Sequence, residues 1–259
     1  MKTRGFIGYL KPCVLVLLLL PAPLHAQTRH VQSNNQFWLG YMTSATIAEK
    51  YSVWNDFHLV PEGFCVVRTG LTRHFTNASI TGGYAFLWLP PGSGKTSLTR
   101  LEHRPWGQIQ FNTRLSEKST LTQRIRYDAR FREKVIDGHI VDGFGFNHRV
   151  RFLVSIRKMF LTDAIKSAKP YISVSDEVLL NFGKEVSFNT FDQNRLSVAF
   201  GLQTSNTQYQ LGFMNRFVQT GPDRYTLNHT VVFWITQKFD LRKASGTKET
   251  VPHHRSSQP

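Results

Sequence analysis

Between Arg124 and Phe131 the chain reads RIRYDARF, and its two parities separate completely. Ile125, Tyr127, Ala129 and Phe131 take one side, and Arg124, Arg126, Asp128 and Arg130 take the other. A period of two is the signature of a β-strand, whose successive side chains point to opposite faces of a sheet. The stretch therefore predicts a sheet with one apolar face and one carrying three arginines and an aspartate.

The same pattern recurs along most of the chain. In KYSVWNDFHLV, Tyr51, Val53, Phe57 and Leu59 oppose Ser52, Trp54, Asp56 and His58. In LEHRPWGQIQFNTRL, Glu102, Arg104, Trp106, Gln108, Gln110, Asn112 and Arg114 oppose Gly107, Ile109, Phe111 and Leu115. Further on, Phe144, Phe146, Val150, Phe152, Val154 and Ile156 oppose Asn147, Arg149, Arg151, Ser155 and Arg157. Leu196, Val198, Phe200 and Leu202 likewise oppose Arg195, Ser197, Ala199 and Gln203, and Leu227, Val231, Phe233, Ile235 and Phe239 share a face near the end. Turn-forming stretches such as TNAS, LPPGSGKTS, SEKST, TSNT and QTGPDR separate these runs. No helical period persists, and nothing marks a second domain.

Alternation suits a soluble sheet as well as a membrane barrel, because antiparallel sheets often have one wet face. Length separates the two. Soluble strands cluster near about 5–6 residues, whereas membrane-spanning strands need about 9–11. Here the alternation often holds for ten or more. Aromatic residues such as Trp88, Phe111, Phe144 and Phe239 sit towards the ends of the apolar faces, as interfacial girdles do. An arginine facing lipid near mid-bilayer costs roughly 2–4 kcal/mol, so a lipid-embedded barrel must turn the arginine row inward.

The start of the chain agrees with an exported protein. Lys2, Arg4 and Lys11 precede the apolar run Val14–Leu20, then PAPLHA ends at Ala26. That layout predicts a cleaved secretory signal peptide over 1–26, too short and too soon broken to span a bilayer. The predicted organisation is an N-terminal segment over 27–35, a barrel over 36–240 and a polar, disordered tail over 241–259. The full chain carries a formal charge of +15. Without the leader about +12 remains, from 29 basic and 17 acidic residues. In an exported protein this surplus points to anionic lipid headgroups or glycolipid as partners, not to nucleic acid. Cys65 is the sole cysteine after the leader, which excludes an intramolecular disulfide in the mature chain.

Five stretches, in this order, resemble the outer-membrane barrel family catalogued as domain of unknown function 2490. They are EHRPWGQ (Glu102–Gln108), RIRYDARF (Arg124–Phe131), DEVLLNFG (Asp176–Gly183), DQNRL (Asp192–Leu196) and LGFMNRF (Leu211–Phe217). FWLGY at Phe37 is similar to the family's first strand, and the resemblance runs from about Phe37 to Phe239. It departs at Asp128, where the family has glutamate, and in the residues that continue past Phe239. The resemblance implies an all-β fold, a single antiparallel transmembrane barrel, handled by the barrel-assembly machinery during biogenesis. It implies no reaction. About eleven strand segments can be counted, yet bacterial barrels have an even number. The expectation is ten to twelve strands, with one segment split, merged or missed.

The predicted polar network comprises Glu102, Arg104, Gln108, Arg114, Arg124, Arg126, Asp128, Arg130, Arg149, Arg151, Glu177 and Arg195, with Asp56 and Arg68 on the same inward row. Two uses are open to it. Paired arginines and carboxylates would plug a narrow barrel, because an unpaired buried ion is costly. The excess of arginine would equally suit a narrow anion-preferring path. The expectation is a non-enzymatic envelope protein without cofactor or metal. A lipid-modifying barrel enzyme and a soluble periplasmic barrel are the alternatives. His148 and His229 fall on the apolar parity and Ser155 and Ser173 on the polar one, so no Ser–His–acid set is legible. PGSGKTS (Pro91–Ser97) lacks the first glycine of a phosphate-binding loop and reads as a hairpin loop.

Overall fold

The structure, a computed structural model, describes residues 29–61, 63–89, 98–160 and 168–242. The predicted signal peptide, PGSGKTS and all but two residues of the predicted tail lie outside them. Eleven strands occupy the described residues. They are β1 (His30–Ala48), β2 (Tyr51–Val60), β3 (Phe64–His74), β4 (Ala78–Leu89), β5 (Arg100–Arg114) and β6 (Ser119–Ile136). β7 (His139–Met159), β8 (Lys169–Phe182), β9 (Phe191–Gln203), β10 (Thr207–Gln219) and β11 (Arg224–Asp240) follow. Each pairs antiparallel with its sequence neighbours, and β1 closes the barrel against β11.

That closure corrects the strand-count reasoning. In a meander of eleven hairpin-linked strands the first and last run in the same direction. β1 and β11 accordingly pair in parallel, from His30↔Arg224 to Thr46↔Asp240. Among the described residues no segment is split, merged or missed, and the sheet is mixed by this one pair. β1 also begins within the predicted N-terminal segment. HVQSNNQ carries no alternation to announce a strand, but β11 supplies the backbone partners that make it one.

β6 and β7 form the longest hairpin, turning through Asp137 (φ 49°) and Gly138 (φ 80°). Two successive left-handed residues are what a type I′ turn requires, and Asp-Gly suits it. Between Glu133↔Phe144 and Lys134↔Val141 the register slips, and Gly143 (φ 99°) lets Asp142 and Gly143 bulge out. The end of the barrel bearing this turn also carries the β2–β3 turn and is termed upper. The lower end carries the β1–β2 and β9–β10 turns.

The two parities of RIRYDARF point to opposite faces of the barrel wall. Ile125 is 47% exposed and Phe152, beside it on β7, 45%. Arg126, by contrast, is 2% exposed and Asp128 0%. The barrel is inside-out relative to a soluble one, with apolar side chains over its outer surface and charges within. On that surface His103 packs against Phe86 and Phe144, and Phe146 against Phe131 and His148, giving an aromatic patch across β4 to β7.

The interior is not uniformly polar. Trp38, Val60, Met214 and Val232 form one buried apolar cluster, and Val66, Ala85, Leu87 and Trp106 another. Both belong mainly to β1–β5, β10 and β11, so an apolar wall faces the arginine-bearing wall of β5–β9. Gly70 lies beneath the Trp106 ring, where an added Cβ would come within 2.9 Å of it.

Candidate functional site: an arginine network inside the barrel

Cross-strand register brings the charges together. Glu102 and Arg132 are direct partners on β5 and β6, with Arg130 two residues along β6. Arg130 donates to both Glu102 oxygens, at 2.7 and 2.9 Å, and Arg132 to Oε2 at 3.0 Å. Arg104 bonds the same carboxylate. One fully buried Glu therefore holds three guanidinium groups.

A second centre forms around Glu177 on β8. Arg151 donates to its two oxygens at 2.8 and 2.9 Å, Arg124 at 2.6 Å and Arg195 at 3.4 Å. The register also sets Arg126 opposite Arg151, two like charges in a pair that would repel. The repulsion is relieved from both sides. Arg126 Nε donates to Asp128 at 2.8 Å and its guanidinium lies 4.2 Å from the centre of the Trp106 ring, while Arg151 turns to Glu177.

Two smaller centres complete the set. Arg149 reaches Asp192 at 2.9 Å and donates to Asn181 at 3.0 Å. Asp56 faces Arg68, its partner across β2 and β3, at 3.2 Å. Trp38 Nε1 donates to His58 Nδ1 at 2.9 Å, so the His58 proton sits on Nε2, which faces Asp56 at 3.2 Å.

Two cavities of about 200 and 240 Å³ lie within the barrel and share Trp38, Arg68, Arg151 and Arg195 as their common partition. The lower one is lined by Asp56 and Glu177 together with Arg68, Arg124, Arg126, Arg151 and Arg195. Gly63, Phe64 and Leu89 place the other at the upper end, where the lining includes seven arginines: Arg68, Arg104, Arg130, Arg149, Arg151, Arg195 and Arg216. No carboxylate lines the upper chamber among the described residues.

Ten of the twelve sequence-predicted network residues meet in this network. Gln108 and Arg114 stand apart. Gln108 is half-buried opposite Arg126, without a hydrogen bond to the network among the described residues. Arg114 ends β5, is exposed, and donates to Ser116 O at 3.3 Å. Parity gives the face a residue points to, not its height, and Arg114 lies past the interior. Arg132, Asp192 and Arg216 went unpredicted, although Arg132 continues the RIRYDARF alternation and Arg216 shares parity with inward Met214. Trp106 shares the polar parity of β5 but packs in an apolar cluster.

The serine and histidine residues fall as follows. His148 and His229 sit on the outer parity, hydrogen-bonded to Tyr127 at 2.5 Å and Asn215 at 2.9 Å. Ser173 is buried and accepts from Gln210 at 3.3 Å. One Ser–His contact was not anticipated: Ser52 Oγ lies 2.8 Å from His74 Nε2 near the lower end. No carboxylate is bonded to His74 among the described residues. Cys65 is free. No cluster of metal-ligating side chains occurs among the described residues, and none of their helices is long and apolar enough to cross a membrane, which says nothing of strands.

A model of the protein family described as of unknown function, DUF2490, matches residues 35–226. The chain belongs to the DUF2490 family. The match covers most of β1, all of β2 to β10, the start of β11 and every charge centre described above. No curated protein matches the chain.

Proposed function

We propose that this protein is a non-enzymatic β-barrel of the outer membrane of a two-membrane bacterium, exported through a cleaved signal peptide and sealed at mid-height by its arginine–carboxylate network. The observation that carries the reading is the inversion of faces. A barrel in water would leave Phe152, Phe200 and Leu211 exposed at no benefit while burying Glu102, Asp128 and Arg126 at a desolvation cost of several kcal/mol per ion. In lipid the same outer surface is matched to its solvent, and inward charges escape the hydrocarbon. The aromatic patch over β4 to β7 suits an interfacial girdle. The partners this reading implies are outer-membrane lipid, anionic glycolipid and the assembly machinery of that membrane.

The plug is favoured over an open pore because Glu102 and Asp128 are fully buried and each meets an arginine of a neighbouring strand, Arg130 at 2.7 Å and Arg151 at 3.8 Å. A second reading, a narrow anion path, is favoured by the two chambers in tandem with arginine in their shared partition. Planar-bilayer conductance of the detergent-refolded protein separates them. The plugged barrel inserts and shows no steady conductance. Steady anion-selective current, altered when Arg124, Arg126 and Arg130 are replaced by Gln, would replace the plug with the path. Recovery as a soluble monomer without detergent would overturn the membrane reading altogether.

A further inference from the structure

The upper chamber holds a charge pattern that the plug does not require. A plug needs arginines matched to carboxylates, yet this cavity of about 240 Å³ gathers seven guanidinium groups with no carboxylate among its described lining residues. Arg68, Arg151 and Arg195 pair with Asp56 and Glu177 on the lower chamber's side of the partition, whereas Glu102 and Asp192, which pair with Arg104, Arg130 and Arg149, line neither chamber. Arg104 and Arg130 spend Nε and Nη2 on Glu102, and Arg149 spends the same two groups on Asn181 and Asp192. In each of these three, Nη1 makes no hydrogen bond among the described residues. A guanidinium has five N–H donors, so each keeps donors to offer.

Arg216 is the clearest case. It projects from β10 inside the barrel and makes no ion pair among the described residues. The one hydrogen bond of its side chain there is from Nη1 to Gln36 at 3.3 Å, and its Nε is buried without a partner. Arg216 is half-buried, and the charge at its partnerless Nε is compensated only in part unless something supplies a counter-charge. Like charges confined in one cavity also raise one another's energy, so an anion of charge near −2 relieves more than chloride does.

We infer that the upper chamber is an oxyanion-binding site that takes a phosphoryl group. Guanidinium forks bind tetrahedral oxyanions through paired N–H donors, and a phosphoryl group carries about −1.5 to −2 at neutral pH. The cavity far exceeds the roughly 30 Å³ a water occupies in the liquid. The site stands on the barrel interior alone. It rests on the outer-membrane reading only for the source of the ligand, which is either free phosphate or the phosphorylated headgroup of a glycolipid entering from the rim.

The test uses the detergent-refolded protein, with thermal unfolding followed against inorganic phosphate, and chloride at matched ionic strength as control. A ligand bound only by the folded state raises the midpoint in a saturable way. Arg216→Gln removes an arginine that leaves no carboxylate stranded, so it keeps the fold, and Arg114→Gln at the lower rim is the control. Wild type and Arg114→Gln should show the same saturable shift, and Arg216→Gln should need at least ~10-fold more phosphate. A parallel arm compares phosphatidylcholine nanodiscs with and without lipid A. Stabilisation by inorganic phosphate assigns the free ion, and stabilisation by lipid A alone, lost in Arg216→Gln, assigns the headgroup. The inference falls if neither phosphate nor lipid A stabilises wild type over the chloride control, or if Arg216→Gln responds as wild type does. A barrel that needs no detergent yet binds phosphate through Arg216 would keep this site and overturn the membrane reading, so the two failures are distinct.

Discussion

The two chambers share a partition and differ in one respect that decides their chemistry. In the lower one Glu177 and Asp56 stand among the arginines, and Glu177 alone engages Arg124, Arg151 and Arg195. In the upper one no carboxylate stands among the described lining residues, and Arg104, Arg130 and Arg149 are paired with Glu102 and Asp192 outside the lining, leaving an unused Nη1 on each. The same residue type serves two ends. Paired within the cavity it is structural, and paired outside the lining it offers donors to a ligand. Excess of arginine is therefore not enough to mark a site; where each arginine is neutralised matters more.

The comparison breaks most severely at Glu177. Glu177→Gln strips the lower chamber's principal carboxylate and leaves three arginines short of their partner, a loss of about 3–5 kcal/mol for a broken buried ion pair. Urea unfolding of the refolded barrel in lipid measures it, and a loss below about 1 kcal/mol would show that the lower chamber does not depend on its internal pairing. Next in size is the outer surface that encloses both chambers. Ile125→Arg, on an apolar strip between Ile109 and Phe152, should cost roughly 2–4 kcal/mol in the same assay if that strip meets lipid. Arg216→Gln, in the upper chamber, should change stability by no more than about 1 kcal/mol in phosphate-free buffer, in contrast to Glu177→Gln, because no pair is broken. Smallest is Arg114→Gln at the exposed end of β5, expected within about 0.5 kcal/mol.

Much of the fold was legible because strand parity is a local property. RIRYDARF alone assigns Ile125 and Tyr127 outward and Arg126 and Asp128 inward, and the structure agrees. Closure was not legible. The alternating runs numbered eleven, but the even-number rule for bacterial barrels argued against that count, and only the pairing of β1 with β11 shows how an odd number closes. Nor does parity carry partners. Nothing in EHRPWGQ says that Glu102 will meet Arg104, Arg130 and Arg132 together, since that follows from the β5–β6 register. The apolar wall is hidden for a related reason. Trp38 and Trp106 sit at inward positions, but inward does not mean polar: part of this interior is lined by aromatic and aliphatic groups, and the Trp106 and Trp38 rings lie under the Arg126 and Arg195 guanidinium groups.

The central claim is that the apolar outer surface of this barrel faces lipid. It is tested most directly by single-cysteine labelling in a Cys65→Ser background, with a fluorophore on Ile125→Cys or on Ser175→Cys, which lines the lower chamber. The barrel is refolded into phosphatidylcholine bilayers with or without brominated acyl chains. The account predicts that the label at position 125 is quenched by the brominated chains and protected from aqueous iodide, while the label at position 175 is insensitive to bromine. Quenching of the position-125 label by iodide and not by brominated lipid would contradict it.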